Sequence, residues 1–308
     1  MNLESLTVTN ALRHDNWIAI MMHAREWTHR QITPALPRPL LEDAALVEAI
    51  PPHYHRGIGP FLFEPFARHT AERIRARAPK TVLETACCTG IVTRRLREAL
   101  SRDAMLVASD PDQRMLAVAR RTVGATASVG WSRADLCKLQ FSDGDFDAVV
   151  CQFGLMFAAD KLAAVREARR VLRPGGSFLI TTWAPLERNP VVALVDRTLG
   201  AMFRSDPPPH TAQAPFGYGD PDMVSDLMFG GGFQDVVVDV VEKATSSPSA
   251  HELAVGMIEG HPQIDEIRLH GQSRLSAAVS AVAQAIRRQF GDAPVRARIT
   301  ALVASAVA

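Results

Sequence analysis

Short apolar runs alternate with amphipathic segments between residues 80 and 182, and this alternation constrains the fold more than any other feature of the chain. Buried strands are predicted at 81–84, 105–109, 126–131, 146–152 and 177–182, the third of them being the weakest. Helices are predicted between them at 91–100, 113–123 and 161–172. Strands that alternate with helices in this way form a parallel sheet with right-handed crossovers. We therefore expect an α/β fold with a Rossmann-like, doubly wound sheet.

Beyond Trp183 the sequence leaves this repeating pattern. The elements predicted there are a helix at 188–203, a proline-rich loop at 205–219 that contains His210, Phe216 and Tyr218, a sixth strand at 236–240 after the glycines of 230–232, and further helices at 249–290. The final apolar run at 299–307 fits a seventh strand, although its alanines equally permit a terminal helix. The predicted fold is thus a seven-stranded doubly wound sheet with inserted helices late in the chain.

Charge and cysteine content exclude several classes of function. Lysine and arginine total 34, and aspartate and glutamate total 33, so no net field would hold the chain on nucleic acid or on an anionic membrane. Charged residues interrupt the apolar positions of residues 1–30, so we do not expect a targeting sequence there. No apolar run reaches the ~20 residues of a membrane span. The four cysteines, Cys87, Cys88, Cys137 and Cys151, have neither zinc-site spacing nor the density of a secreted disulfide scaffold. We expect a cytoplasmic protein that binds a small molecule and no metal.

The candidate ligand site lies where the strands end, because doubly wound sheets bind ligands at the carboxyl ends of their strands. The first strand runs into residues 84–90, Glu-Thr-Ala-Cys-Cys-Thr-Gly, a turn of small residues that opens a helix. Backbone N–H groups and a helix N-terminus can therefore approach a ligand closely. Such turns equally serve to pack a strand tightly on its helix.

Two aspartates follow the next strands. Asp110 ends the second strand about 20 residues beyond the first loop, the separation expected of a carboxylate that holds a ribose diol. Alternatively Asp110 caps the following helix, since Asp110-Pro111 with Asp112 forms a plausible helix start. Asp135 follows the third strand and could accept a hydrogen bond from an adenine amino group beside the apolar Leu136, or could simply be solvated.

Five ordered motifs resemble the class I S-adenosylmethionine-dependent methyltransferases, especially the small-molecule enzymes related to the ubiquinone and menaquinone C-methyltransferases. The motifs are VLETACCTG at 82–90, ASDPD at 108–112 with Met115-Leu116, ADL at 134–136, FDAVVCQF at 146–153 and RRVLRPGG at 169–176. The resemblance runs from about residue 50 to 182 and, more loosely, to 242. It implies S-adenosylmethionine as the cofactor and a small-molecule methyl acceptor, with oxygen, nitrogen and carbon all open as the methylated atom.

The resemblance also implies which residues contact each part of the cofactor. Those residues are Glu84, Ala86, Cys87, Cys88 and Gly90 at the methionine part, Asp110 at the ribose, Pro111, Met115, Asp135 and Leu136 at the adenine, and Gln152 with Phe153 near the sulfonium. Tyr54 lies in a segment that resembles the N-terminal lid of these enzymes, and it would cover the methionine end. The alternative is that Tyr54 and Phe63 are ordinary core aromatics.

The resemblance divides the chain into three parts. They are an N-terminal helical arm at 1–49, a methyltransferase core at 50–248 with an acceptor-side insertion around 184–220, and C-terminal helices with a possible last strand at 249–308. The amphipathic stretch 11–31 is expected to pack on its own domain or on a partner subunit, which allows a homodimer, or to act as a lid.

Cys88 is where the chain departs from the family pattern. It stands at the position of the central glycine of the loop, and Ala86 replaces an earlier glycine. If the backbone needs a positive φ there, Cys88 is strained. The Cys87-Cys88 pair also allows a redox role. A non-catalytic protein of the same fold that binds a cofactor-like ligand is therefore the alternative function.

Two further alternatives concern the chemistry. A nicotinamide-dependent oxidoreductase would need a G-x-G-x-x-G turn, which Ala86, Cys88 and Gly90 do not supply. His53, His55 or His210 could act as a base for a hydroxyl acceptor, but methyl transfer requires mainly alignment and desolvation. We assign no catalytic residue.

Overall fold

The computed structural model describes residues 54–124, 127–203, 213–260 and 272–308, all of which belong to one compact unit spanning Asp43–Ala308. Seven strands form one sheet in the order β3-β2-β1-β4-β5-β7-β6. They are β1 (Thr81–Thr85), β2 (Met105–Asp110), β3 (Gly130–Arg133), β4 (Phe146–Gln152), β5 (Leu172–Trp183), β6 (Gln234–Ser247) and β7 (Val295–Val307). The first five strands pair in parallel, and β7 runs antiparallel between β5 and β6. The predicted seven-stranded α/β Rossmann-like fold is confirmed.

Besides two 3-10 turns at Leu155–Phe157 and Leu186–Arg188, ten α- or π-helices flank the sheet in the described part of the chain. They are the π-helical α1 (Tyr54–Phe63), then α2 (Glu64–Arg75), α3 (Ile91–Ala99), α4 (Gln113–Val123), α5 (Lys161–Val171), α6 (Pro190–Met202), the single turn α7 (Gln213–Phe216), α8 (Pro221–Gly230), α9 (Ala250–Glu259) and α10 (Gln272–Phe290). Polar residues begin several of them: Asp112, Asp160, Asp220 and Ser249 each accept a backbone N–H of the first turn. These caps satisfy donors that a helix start leaves unpaired.

The structure resolves the open prediction for the chain's last apolar run. Residues 295–307 form β7, because this segment is a central strand that hydrogen-bonds to neighbours on both sides. Its residues Ala301, Ala304 and Ala306 are fully or almost fully buried. Small side chains therefore fit a strand covered on both faces, and the terminal-helix alternative is wrong.

Several predicted boundaries shift. β3 begins at Gly130 rather than near Thr126, because its pairing with β2 starts at Val107↔Gly130; Thr126 itself lies outside the described residues. β5 starts at Leu172, with a register shift at the predicted Pro-Gly-Gly turn before Ser177. The region predicted as a loop at 205–219 contains the short α7.

Some predictions fall on segments outside the described residues. These are the N-terminal arm at 1–49 with its proposed dimer contact, His53, His210 and the stretch 261–271. No helix among the described residues is long and apolar enough to cross a membrane. The predicted helices late in the chain are found as α9 and α10.

A hydrophobic cluster joins α1 to three helices that follow β5. It brings together buried residues of α1, α6, α9 and α10 with Phe153 after β4 and Trp183 at the end of β5. A second cluster packs α2 and α3 against β1, β2 and β4. The first cluster therefore lies at the carboxyl ends of the strands, where the sequence places the candidate site.

Candidate functional site

The strand order reverses between β1 and β4, which is the topological switch point of the sheet. In the register of β1 and β2, Thr85 pairs with Ser109, so the loops that start at Ala86 and Asp110 leave the sheet side by side. On the other side of β1, Glu84 pairs with Val150, two residues before the end of β4. The predicted site residues after β1, β2 and β4 therefore gather at one edge.

The loop after β1 has an alternating left-handed backbone. Ala86, Cys88 and Gly90 have φ angles of 52°, 50° and 80°. The positive φ that would strain Cys88 is thus present. The left-handed conformation costs a residue with a side chain about 1–2 kcal/mol. Gly90 has a further reason to be glycine, because a Cβ there would lie 2.9 Å from Cα of Ala119 in α4.

The methyl group of Ala86 is accommodated by a glycine on the neighbouring loop. A Cβ on Gly154, just beyond β4, would lie 2.4 Å from the Ala86 Cβ and 3.0 Å from the Cys151 Sγ. Phe153, which precedes this glycine, also has a positive φ of 55°. The side chain that replaces a family glycine at position 86 is therefore matched by a glycine at 154.

Glu84 is a buried acid at the end of β1. Glu84 is only 2% exposed, and its Oε2 has no hydrogen-bond partner among the described residues. Burial raises the pKa of Glu84 to about 8, against the opposing effect of hydrogen bonding from Thr93 and with a smaller contribution from the charge of Asp110. An unpartnered buried carboxyl oxygen costs folding energy, and a cationic donor would satisfy it.

Asp110 links the loops after β1 and β2. Its Oδ2 accepts the N–H of Cys88 at 2.9 Å, and its Oδ1 accepts the N–H of Asp112 at 2.9 Å. Burial raises the pKa of Asp110, and these two N–H groups oppose the rise. The cap of α4 is Asp112, which accepts the N–H of Arg114, so the alternative that Asp110 caps this helix is wrong. Each Asp110 oxygen keeps a lone pair for a further donor.

The residues predicted to surround the adenine lie around the same edge. Met115 is half-buried, and its Sδ is 3.6 Å from the Cys88 Sγ. Pro111 and Asp135 are exposed, and Leu136 is half-buried. The Asp135 Oδ1 accepts the N–H of Cys137 within its own turn, at 2.8 Å. The Ala134 N–H donates to the Asp110 carbonyl, which joins the third loop to the second.

The predicted lid segment lies on the loop after β1. The Cys88 thiol donates to the Tyr54 hydroxyl at 3.2 Å, and the Thr89 hydroxyl is 3.0 Å from Nδ1 of His55. Burial raises the pKa of Tyr54, and burial together with nearby Arg94 lowers the pKa of His55. Tyr54 is thus both a member of the aromatic packing and a direct contact of the candidate loop, with its ring centroid 5.7 Å from that of Phe63.

Gln152 and Phe153 have different surroundings. The Gln152 amide accepts from the Thr70 hydroxyl at 2.9 Å and donates to the Phe63 carbonyl at 3.2 Å, so it fastens α1 and α2 to β4. Its contact with a cofactor stays a prediction. Phe153 stacks on Trp183, with ring centroids 3.9 Å apart and planes 14° apart.

The sequence did not predict the group of aromatic rings beside the loop after β1. Trp183 also lies nearly parallel to Phe216, with centroids 5.7 Å apart, and Phe63 and Phe66 pack against it from the lid side. Trp183 is the last residue of β5 and directly follows the strand predicted at 177–182, and this position was the available signal. From the sequence alone, Trp183 marks only the end of the repeating pattern.

The two adjacent cysteines face different environments. Cys87 is buried in a cluster with Leu116, Ala119 and Trp131, whereas Cys88 contacts Tyr54 and Met115. Burial raises the pKa of Cys87, and it raises the pKa of Cys88 to about 12. Both sulfurs are therefore thiols near neutral pH, which disfavours the redox role. No group of metal-binding side chains occurs among the described residues.

Sequence comparison places residues 83–180 in a family model described as a methyltransferase domain. The ubiquinone/menaquinone biosynthesis C-methyltransferase of Shewanella frigidimarina is 36% identical over 116 residues, which cover 37% of this chain and 46% of that protein. The demethylmenaquinone methyltransferase of Deinococcus radiodurans is 34% identical over 138 residues, which cover 44% and 54% of the two chains. The chain thus spans about half the length of the curated relatives it matches.

A solved structure has a similar fold. It is phosphoethanolamine N-methyltransferase 2 of Haemonchus contortus in complex with phosphomonomethylethanolamine and S-adenosylhomocysteine. The TM-score is 0.50 at 19% identity, over 88% of this chain and 58% of that one. At this identity the similarity supports the fold alone. Residues 83–180 thus match a methyltransferase domain, and the fold of the chain is similar to that of a solved methyltransferase.

Proposed function

We propose that the protein transfers a methyl group from S-adenosylmethionine to a small-molecule acceptor. The observation that carries this proposal is the Glu84 carboxyl, buried at the switch point with Oε2 unpartnered among the described residues. A ligand with an ammonium group at that edge would supply the missing donor. The amino group of the cofactor's methionine part is such a donor, so the residues present fit the group.

The remaining candidate residues fit the rest of the cofactor. Asp110 has acceptor capacity left for a ribose diol, and the half-buried Met115 and Leu136 offer apolar contact to an adenine between the second and third loops. When bound, the cofactor supplies an activated methyl group on a sulfonium. The chain's own residues hold the cofactor and acceptor in line and exclude water, which is the principal requirement of such a displacement.

The acceptor that we propose is a flat, largely apolar molecule methylated on carbon. The rings of Phe153, Trp183 and Phe216 lie nearly parallel beside the candidate loop, and Phe216 is only half-buried. Aromatic surfaces of this kind favour stacked planar ligands. Two relatives are about a third identical to this chain over roughly half of their own length. One is named as a ubiquinone/menaquinone biosynthesis C-methyltransferase and the other as a demethylmenaquinone methyltransferase. A homodimer through residues 1–49 and a cytoplasmic location stay predictions.

The test is methyl transfer from isotopically labelled S-adenosylmethionine to a panel of acceptors. We expect label on the carbon of a hydroquinone and none on phosphoethanolamine. Label on nitrogen or oxygen would contradict the carbon assignment. Binding of S-adenosylhomocysteine without transfer to any acceptor would favour the alternative of a non-catalytic protein, for which the strained Cys88 is the supporting observation. Tight NADH binding without S-adenosylhomocysteine binding would support the nicotinamide alternative.

A further inference from the structure

The lid helix α1 is fastened to the candidate loop through two consecutive residues at its start. Tyr54 accepts from the Cys88 thiol at 3.2 Å, and His55 lies 3.0 Å from the Thr89 hydroxyl. The partners Cys88 and Thr89 are also consecutive. The beginning of the lid therefore runs alongside the loop that is expected to hold the cofactor.

The rest of α1 is fastened to other parts of the fold. Gly57 packs backbone to backbone on Gly256 of α9, where a Cβ on Gly57 would lie 2.6 Å from the Gly256 Cα. The Thr245 hydroxyl of β6 donates to the Phe61 carbonyl at 2.7 Å. These contacts do not involve the loop after β1. The hydrogen bond of the Tyr54 hydroxyl is therefore made to the loop, whereas these contacts of the middle and end of the lid are made to α9 and β6.

The Tyr54 contact exists because position 88 carries a side chain. Cys88 keeps the left-handed backbone, with φ at 50°, that a glycine would adopt without strain. The strain is retained in this chain together with a thiol that contacts Tyr54 on one side and Met115 on the other. Both of these neighbours are expected cofactor contacts, so the thiol lies between the lid and the adenine side of the site.

We propose that Cys88 is a positioning residue whose thiol fixes Tyr54, and with it the start of the lid, over the cofactor loop. This inference rests on the proposed function for its consequence, which is tighter retention of the cofactor. The hydrogen bond itself can be tested on the free protein. The Cys88 thiol stays protonated near neutral pH because burial raises its pKa to about 12, so it can donate under ordinary conditions.

The matched variants are Cys88→Gly, which removes the donor, Cys88→Ser, which keeps a hydroxyl donor, and Tyr54→Phe, which removes the acceptor. Glycine relieves the left-handed strain but increases the entropy of the unfolded chain, so Cys88→Gly should change the melting temperature little. Tyr218→Phe removes the hydroxyl of the protein's other tyrosine and serves as the control.

The first measurement is amide hydrogen exchange of residues 54–63 in the free protein. Cys88→Gly and Tyr54→Phe should each speed exchange at the start of this segment about 3- to 10-fold, the effect of losing one hydrogen bond. Cys88→Ser and Tyr218→Phe should not. The double variant Cys88→Gly/Tyr54→Phe should exchange no faster than either single variant, because both remove the same bond. Unchanged exchange in both single variants, or additive effects, would overturn the proposal.

The second measurement is the dissociation rate of S-adenosylhomocysteine. Cys88→Gly and Tyr54→Phe should each release it about 3- to 10-fold faster, and Cys88→Ser should restore slow release. Slower release from Cys88→Gly would mean that the thiol obstructs the site, which would contradict the positioning role. If the wild-type protein does not bind S-adenosylhomocysteine, the proposed function fails, while the exchange experiment still decides the contact between Cys88 and Tyr54.

Discussion

Replacing the buried Glu84 with glutamine should make the free protein more stable, and the gain should grow with pH. The pKa of this carboxyl is about 8 in the folded chain, compared with 4.5 for the ordinary side chain. The folded state therefore favours the protonated form. The contribution of this proton to the free energy of unfolding is full below about pH 4.5 and is lost as the pH rises to about 8. Above that pH, the buried charge lowers the free energy of unfolding of the wild type by about 5 kcal/mol at most.

Glutamine has nearly the same shape and does not ionise, so Glu84→Gln escapes this penalty. Thermal unfolding at a series of pH values measures the difference. At about 2 °C per kcal/mol, the variant should melt up to about 10 °C above the wild type near pH 9.5, and within about 2 °C of it near pH 5. Glu187→Gln, a substitution at an exposed glutamate, is the control and should show no such divergence.

A constant difference in melting temperature between Glu84→Gln and the wild type across that pH range would refute the reasoning. It would mean that the Glu84 carboxylate is hydrated or paired in the free protein. The variant should also lose affinity for S-adenosylhomocysteine, because the amide cannot form an ion pair with an ammonium group. A substitution that stabilises the free protein and weakens ligand binding is expected of a residue whose burial serves a ligand.

Three further predictions concern the loops around Glu84. Asp110→Asn should weaken S-adenosylhomocysteine binding at least about tenfold in calorimetric titration, since the amide group cannot accept all the donors that the carboxylate accepts; an unchanged affinity would count against a ribose role. Gly154→Ala should cost about 1–3 kcal/mol in denaturant unfolding because its Cβ would overlap that of Ala86 at 2.4 Å, and adding Ala86→Gly should restore most of the loss. A loss that Ala86→Gly does not relieve would contradict this pairing. Phe216→Ala should raise the KM for a planar acceptor about 2- to 12-fold without changing S-adenosylhomocysteine affinity; an equal loss of both would place Phe216 at the cofactor instead.

The repeating core could be predicted because its physical constraints are local. Buried parallel strands need continuous apolar runs, and the crossover helices need amphipathic ones, so β1, β2, β4 and the helices between them follow from pattern alone. The ligand site follows from the same reasoning, since the ends of parallel strands must meet at one edge. This reasoning predicts that Glu84 and Asp110 lie at that edge, where the structure has them. Their contacts with a cofactor stay predictions.

The parts that could not be predicted depend on contacts between distant segments. The terminal run at 295–307 is a strand because β5 and β6 pair with it from both sides, and local sequence does not encode those partners. The partners of the Gln152 amide, Thr70 and the Phe63 carbonyl, could not be predicted because they are more than 80 positions earlier in the chain. Its contact near the sulfonium stays a prediction. The role of Trp183 similarly depends on Phe153 and Phe216.

The most direct test of the central claim is proton release when S-adenosylhomocysteine binds. Near pH 6 the ligand's amino group is charged and Glu84 is protonated in the free protein, so forming an ion pair should expel about one proton. Calorimetric titrations in buffers with different ionisation enthalpies measure that number. The wild type should release about one proton on binding, and Glu84→Gln should release none. Binding by the wild type without proton release would contradict the claim that Glu84 holds the cofactor's amino group.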